Sequence, residues 1–509
     1  MMKNRIIRDT ILLTIMQLIL DSAALFLNAF ITRRLGASAI GLFSLIGTFI
    51  GLASVISNGN AFLCTSRLIS EELGKNNGNP NRILLHGLKL CMLLSLGVST
   101  VILIFAKPLG AEFFGGDEGA LLLRFMPAAL ITGAASCCFK GYFNACRKAS
   151  SAAFCDIAEF AVRVAVIVIT TALADSNDNS TVCKIMIASI IAGNVTSLLI
   201  MLALFMTKRV RACGKGTLSF RQYTAFALPI MGGGILTSVL SSTNDALVPI
   251  CLKQFGDSTE HALALFGIFE AIVIPTLFFP SVVLCSISGI IVTESARASA
   301  AGNSERIRSI TTRLIRYTMI YSIFAAAVLI RFGRPIGEMC GGGKIGGDMI
   351  SAIAPVIPFI YMEIVLEAMI KGMGLQAFSS INYLAEYVIR ISIVLIAVPH
   401  MGFTGIAISY YASNIFGNIM RLTKLLRHTK ADFKPFSMVV APVVYAFLTM
   451  ETVNIIFGSR ATQCDSVLCI GVYIFLWICL YLGIFLISHT LTPCSIRERL
   501  FVQSNQRKV

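Results

Sequence analysis

The sequence predicts an all-α integral membrane protein of about fourteen transmembrane helices. They form two six-helix lobes related by a parallel repeat, followed by two extra C-terminal helices. Three observations carry this reading. The 509 residues are 56% hydrophobic and only 13% charged, about half the charge of a soluble domain. Apolar runs free of charge recur along the chain, several of them longer than the ~18 residues that cross a bilayer. Short motifs also recur in the same order in the two halves, the mark of an internal repeat.

A water-soluble globule of this length could not cover itself with so little polar surface. That excludes a cytosolic enzyme, a secreted disulfide scaffold and a disordered chain. The expected spans are 10–31, 39–63, 84–106, 120–140, 152–173, 183–206, 223–252, 263–290, 310–330, 349–370, 380–399, 402–423, 435–457 and 466–490. They divide the chain into a first lobe (1–215), a second lobe (216–432), an added helix pair (433–491) and a basic tail (492–509). The basic N-terminus runs into an apolar stretch with no small-residue cleavage site, so it is read as an uncleaved first span. The loops are too short for a nucleotide-binding or glycosyltransferase domain, and no GxxxxGK[ST] motif occurs.

Net charge is +16. In a polytopic chain this is cytoplasmic loop charge rather than a nucleic-acid footprint, and most Lys and Arg fall on one side when both termini are placed in the cytoplasm. The runs 208–221 and 421–434 are the densest basic clusters and are read as topology signals with attraction to anionic lipid. The 15 cysteines lie largely in apolar runs without zinc spacing, and are read as small core residues with no disulfide framework.

The repeat has three parts. AEFAVR (158–163) matches AEYVIR (385–390). Pro127 precedes Lys140-Gly141 as Pro358 precedes Lys371-Gly372. IASIIAGN (187–194) matches ISYYASN (408–414). Six spans per half is an even number, so both halves start on the same side and their symmetry axis lies along the membrane normal.

The stretches FITRRLGASAIGLFSL (30–45), SRLISEELGKNN (66–77) and NDALVPICLKQFG (244–256), with the repeat and the extra helix pair, resemble the stage V sporulation protein B group. That group belongs to the multidrug/oligosaccharidyl-lipid/polysaccharide exporter superfamily, which includes the lipid II and O-antigen flippases. The resemblance implies a flippase of the cell membrane that moves a polyprenyl-pyrophosphate saccharide by alternating access, with the added helix pair forming a groove for the lipid tail. Arg33-Arg34 and the Gly-rich outer loop 333–348 depart from the group's usual pattern.

The candidate functional residues follow from the cost of charge in lipid, about 2.5 kcal/mol or more for an unpaired group. Glu159 and Arg163 are an i,i+4 pair in the favourable order, and Glu386 and Arg390 repeat it. Both are expected to be ion pairs within their lobes. Asp21, Asp245 and Glu270 have no cation at such spacing and are candidate cavity acids, able to bind a coupling Na⁺ or H⁺. Glu363 and Glu367 form an acid–acid–base ladder with Lys371, in which like charges one turn apart repel. Arg33 and Arg34 suit a pyrophosphate through bidentate hydrogen bonds, and lipid II flippases contact that headgroup with cavity arginines. Lys140 and Lys371, at matched span ends, are candidate phosphate ligands or plain topology charges. Pro229, Gly232, Gly233 and Gly234 weaken span 7 and mark a hinge, or else allow close helix packing.

No resident cofactor or metal is expected. The partners are a lipid-linked saccharide and membrane lipid, with no nucleic acid, and the protein is expected to be a monomer. The competing readings are a cation-coupled multidrug exporter of the same superfamily and a membrane-embedded cell-wall enzyme or assembly protein.

Overall fold

The computed structural model describes residues 2–73, 79–108, 123–146, 148–173, 179–209, 218–256, 258–457 and 467–491. Among these, nearly every residue is helical and none is in a strand. The tail 492–509 and most of the basic run 208–221 lie outside the described residues.

The first half contains α1 (Met2–Leu35), α2 (Ala37–Asn58), α3 (Ala61–Leu73), α4 (Pro80–Ile104), α5 (Met126–Ala145), α6 (Ala149–Leu173) and α7 (Asn179–Lys208). The second contains α8 (Phe220–Gln254), α9 (Thr259–Ile268), α10 (Ile274–Phe278), α11 (Val282–Ala300), α12 (Ser304–Met339), α13 (Gly343–Ile353), α14 (Ile357–Gly372), α15 (Gln376–Met401) and α16 (Phe403–Thr429). The added pair is α17 (Ala441–Phe457) and α18 (Val467–Leu491). Each expected span overlaps one helix or a run of consecutive helices. Among the described residues, eleven helical segments are long and apolar enough to cross a membrane. The segments that fall short, α5, α6 and α16, carry polar loads inside their lobes. Asp156, Glu159 and Arg163 lie on α6, and α16 buries Ser409, Ser413, Asn414, Asn418 and Arg421.

Each lobe has its own core. In the first, Cys64, Tyr142 and Phe143 are fully buried among α3, α4 and α5; in the second, Ile350, Ile353, Ile357, Tyr361 and Leu366 are. A separate aromatic cluster of Phe332, Tyr473 and Trp477 fixes α17 and α18 to α12. There the indole Nε1 of Trp477 donates to the Ala446 carbonyl at 3.1 Å.

Three local features depart from unbroken spans. Span 2 breaks into α2 and α3 at Gly59 and Asn60, both left-handed with φ +52°, a conformation uncommon for any residue but glycine. Asn60 then donates from Nδ2 to the Ile230 carbonyl of α8 at 3.2 Å. Span 8 is interrupted by a π-helical turn (Phe269–Val273) and a 3₁₀ turn (Phe279–Ser281) around Pro275 and Pro280. The stretch 333–348 is not the outer loop its glycines suggested. Helix α12 runs through to Met339 and α13 starts at Gly343, and Gly337 and Gly347 let the two backbones touch where a Cβ would overlap.

The lobes meet along α1 and α2 on one side and α8, α9 and α11 on the other. At the end of the molecule marked by Arg33 the seam is shut. Gly41 of α2 and Gly267 of α9 cross backbone to backbone, and Gly341 packs on Ala29. Helix α8 straddles the seam. Its first turns dock on the first lobe, where the Tyr223 and Thr65 hydroxyls share a hydrogen bond of 2.9 Å. Its last turns pack on α15 of the second lobe.

Candidate functional site

The second lobe holds a cavity of about 520 Å³. Helix α8 contributes Asp245, the π-turn contributes Glu270, α14 contributes Glu363, Glu367 and Lys371, and α15 contributes Glu386 and Arg390. Five carboxylates thus share one cavity, which is sustainable only where cations or bound protons compensate them.

The chief compensator is Arg421 of α16, whose side chain is 0% exposed. Its guanidinium binds both oxygens of Glu386, the Nη2 contact being 2.9 Å. It also reaches Glu363 Oε1 at 3.0 Å and Glu367 Oε2 at 3.3 Å. Glu367 additionally accepts from the Ser379 hydroxyl and lies 3.2 Å from Lys371 Nζ. The repulsion expected between Glu363 and Glu367 is therefore relieved by a shared guanidinium. Arg421 heads the basic run 421–434, which the sequence presents as a topology signal; its full burial among carboxylates corrects that reading. The signal available was its position one turn beyond the Asn414 and Gly417 face of a helix that packs on α15.

The expected Glu386–Arg390 pair is also corrected. Glu386 is engaged by Arg421, while Arg390 donates from Nε to the Ser413 hydroxyl at 3.0 Å. Its guanidinium carbon lies 4.4 Å from the Tyr410 ring centroid and 5.3 Å from that of Tyr387. Among the described residues no carboxylate lies within ion-pair distance of Arg390. Asp245 accepts from Asn244 at 3.2 Å and is approached across the seam by the Thr48 hydroxyl of α2 at 3.4 Å. Tyr387, Tyr410 and Ser413 lie inside the repeat motifs AEYVIR and ISYYASN, whose matching marks the two halves but gives these side chains no role, and Thr48 lies in no motif.

In the first lobe Glu159 and Arg163 do pair, at 2.6 Å. Glu159 is shared with Lys140 at 2.8 Å, and Lys140 also lies 2.6 Å from Asp156. Arg163 donates to Asn194 Oδ1 at 2.8 Å. Lys140 is thus neutralised inside its lobe rather than presented to a phosphate.

The remaining candidates are dispersed. Arg33 is exposed and donates to the Met339 carbonyl at 2.9 Å, at the C-terminus of α12 in the opposite lobe. That is a favourable place for a cation. Arg34 is exposed beside it. Asp21 accepts from Gln17 Nε2 at 2.8 Å. It lines a separate cleft of about 630 Å³ between α1 and the α10–α11 segment, with Gln17, Phe278 and Cys285. Pro229 and the three glycines lie within an unbroken α8. A Cβ at Gly232 or Gly233 would meet nothing, whereas one at Gly234 would overlap Asn60. Among the described residues no cluster of three or more His, Cys, Asp or Glu side chains is arranged to hold a metal.

A polytopic helical protein of two lobes, with an internal polar cavity and a seam closed at one end, has the architecture of a membrane transporter. The chain belongs to the polysaccharide biosynthesis protein family, whose profile matches residues 6–289. It is 20% identical over 460 residues to stage V sporulation protein B of Bacillus subtilis (strain 168), covering 88% of each chain. In fold it is similar to the lipid II flippase MurJ in an inward closed conformation, with a TM-score of 0.70 and 15% identity over 94% of this chain and 99% of that one. It is also similar to an inward-facing multidrug resistance MATE family transporter of the MOP superfamily, with a TM-score of 0.62 and 14% identity over 83% and 96%. These neighbours are transporters and flippases, not enzymes.

Proposed function

We propose that the protein moves a lipid-linked saccharide, a polyprenyl-pyrophosphate sugar, across the cell membrane by alternating access of its two lobes. The observation that carries this reading is the cleft beside α1. It places polar Gln17 and Asp21 at the lobe seam, next to a helix whose Ile15, Ile19 and Phe26 are exposed as lipid-facing residues are. A polar head could pass there while its tail stays in the bilayer. A second groove of about 580 Å³, between α12, α14 and the added pair, is lined by Ala326, Ile330, Phe447 and Met450 and suits an apolar tail. Arg33 and Arg34 would meet the pyrophosphate when the seam opens at their end. The acidic second-lobe cavity would supply the driving force by binding H⁺ or a monovalent cation at Asp245 and Glu270. Gly232 and Gly233, which face open space, let α8 bend where it leaves one lobe for the other.

Both termini are placed in the cytoplasm, which puts the Arg33 end outside. Arg308 near the start of α12 binds Asp432 after α16 at 2.8 Å, so two basic helix ends share one face, as cytoplasmic charge does. Cys469, at the start of α18, is disulfide-bonded, against the expectation that the cysteines are all small core residues, and this fits an oxidising exterior at that end of α18. We take the working unit to be a monomer without nucleic acid.

The same acidic cavity also favours a second reading, export of an organic cation. One experiment separates the two. Purified protein in vesicles is offered fluorescent undecaprenyl-pyrophosphate sugars and, separately, cationic dyes. The flippase reading expects the lipid to become accessible in the opposite leaflet, with no dye accumulation. Dye accumulation without lipid movement would replace it with the exporter reading. External protease on intact cells should leave both termini uncut.

A further inference from the structure

Matching positions in the two lobes explain why Arg390 lacks a carboxylate partner. In the first lobe Arg163 lies across α7 at Gly193, where a Cβ would stand 2.6 Å from its side chain. Glu159 stays beside it on α6. The 220-residue offset that matches Asn194 with Asn414 also matches Gly193 with Ser413, Ser197 with Gly417 and Met201 with Arg421. The glycine has moved one helical turn. In the second lobe it is therefore the acid, Glu386, that lies across the neighbouring helix, at Gly417, where a Cβ would overlap its carboxylate. One turn further on, a fully buried cation replaces a fully buried methionine and takes both carboxylate oxygens.

We propose that Arg421 is a positioning residue. By drawing Glu386 onto α16, it leaves Arg390 as the resident cation of the second-lobe cavity, opposite Asp245 and Glu270. The other charged or titratable groups facing this space are Glu363, Glu367 and Lys371 on α14, and Tyr383, Tyr387 and Tyr410 on α15 and α16. Glu363 and Glu367 are engaged by Arg421, and Glu367 also by Lys371. Arg390 is the cation left for Asp245 and Glu270, with which it interacts electrostatically. Glu363, Glu367 and Glu386 share Arg421 and Lys371, and Asp245 and Glu270 share Arg390, so each group is left with one net negative charge. The Asp245–Glu270 pair on its own therefore suits one proton or one monovalent cation. This assignment deepens the coupling role proposed above for the cavity and names the residues that set its charge.

The test uses purified full-length protein in detergent without cargo. An apolar carbodiimide, which modifies carboxyl groups that carry a proton in greasy surroundings, is applied, and labelling of Asp245 and Glu270 is read by peptide mass spectrometry. Arg390→Gln is expected to raise labelling several-fold over the natural protein. Arg421→Met is expected to do the same, because Glu386 is released to pair with Arg390 as Glu159 pairs with Arg163. Arg421→Met combined with Glu386→Gln and Glu363→Gln, the two acids that Arg421 alone holds, is expected to return labelling to within twofold of the natural level, although Arg421 is still absent. A merely loosened fold would keep labelling high in this triple variant, and that result overturns the proposal. So does unchanged labelling in Arg390→Gln, which settles the matter alone if Arg421→Met does not fold. Lipid movement does not enter this readout, so the cargo reading and this assignment can fail separately.

Discussion

Glu159 carries two cations at once, Lys140 at 2.8 Å and Arg163 at 2.6 Å, with its own side chain only 16% exposed. Removing its charge leaves Arg163 with no carboxylate, only the Asn194 amide oxygen, and leaves Lys140 with Asp156 alone. Removing Arg163 leaves Lys140 satisfied by Glu159 and Asp156. The expected order of damage follows. Glu159→Gln should cost about 2–3 kcal/mol, less than breaking a fully buried pair, because Arg163 is partly exposed and Asp156 still holds Lys140. Arg163→Gln should cost about 1–2 kcal/mol, the scale of a charged hydrogen bond. The charge swap Glu159→Arg with Arg163→Glu should melt no higher than Glu159→Gln, because it sets a cation beside Lys140. Thermal unfolding in detergent measures all three, and a swap that restores the natural midpoint would show that Lys140 does not share the acid. The i,i+4 spacing alone makes the Glu159–Arg163 pair legible. The same spacing misleads at Glu386 and Arg390 because the deciding partner, Arg421, is 35 positions away on another helix. A local rule cannot see a competitor delivered by tertiary packing, and Arg421 was further hidden by standing first in a basic run.

At the scale of the helix, α8 sets apart two uses of glycine that look identical in the sequence. Gly234 is a contact, since Asn60 occupies the space its Cβ would need. Gly232 and Gly233 touch nothing, so their lack of a side chain serves only the backbone. Each Gly→Ala change in a helix interior stabilises by roughly 0.5–1 kcal/mol. Gly232→Ala with Gly233→Ala should therefore raise the melting temperature and, if α8 bends during transport, lower the lipid movement rate several-fold. A stiffened protein that moves lipid at the natural rate would remove the hinge from the cycle. Helix positions were largely legible, because charge-free runs of bilayer length leave little choice of structure. The break at Gly59–Asn60 was not legible. Asn60 is a non-glycine left-handed residue, held by its hydrogen bond to Ile230 on α8, and such a bond is invisible before the fold is known. The glycines at 333–348 look like a loop in the sequence for a related reason. The residues that loosen a turn also let two backbones meet, and only the partner, Gly337 against Gly347, distinguishes the cases.

At the scale of the whole molecule, the two lobes touch most intimately where α2 crosses α9. A Cβ on Gly41 would overlap the Leu263 carbonyl, and one on Gly267 would overlap the backbone of Gly41. Backbone cannot move aside as a flexible side chain does, so anything larger than hydrogen at position 41 must push the lobes apart at this end. Arg33 and the α12 carbonyls, one turn of α1 from Ala29 and Gly341, would be separated by the same displacement. Gly41→Leu is thus a wedge that works only on the closed seam. Gly41 is buried, and Ile40 and Leu42 on either side of it belong to packed clusters, so the amount of protein in the membrane is the control. The variant is expected to reach the membrane in normal amount and to lose at least about tenfold in lipid movement. Thiol labelling at the Arg33 end by an impermeant reagent, with Cys340 beside the seam as the reporter, should speed up by a comparable factor. Alternating access requires that end to close once per cycle, so a Gly41→Leu protein that transports at the natural rate would mean the crossing of α2 and α9 is not part of the working cycle.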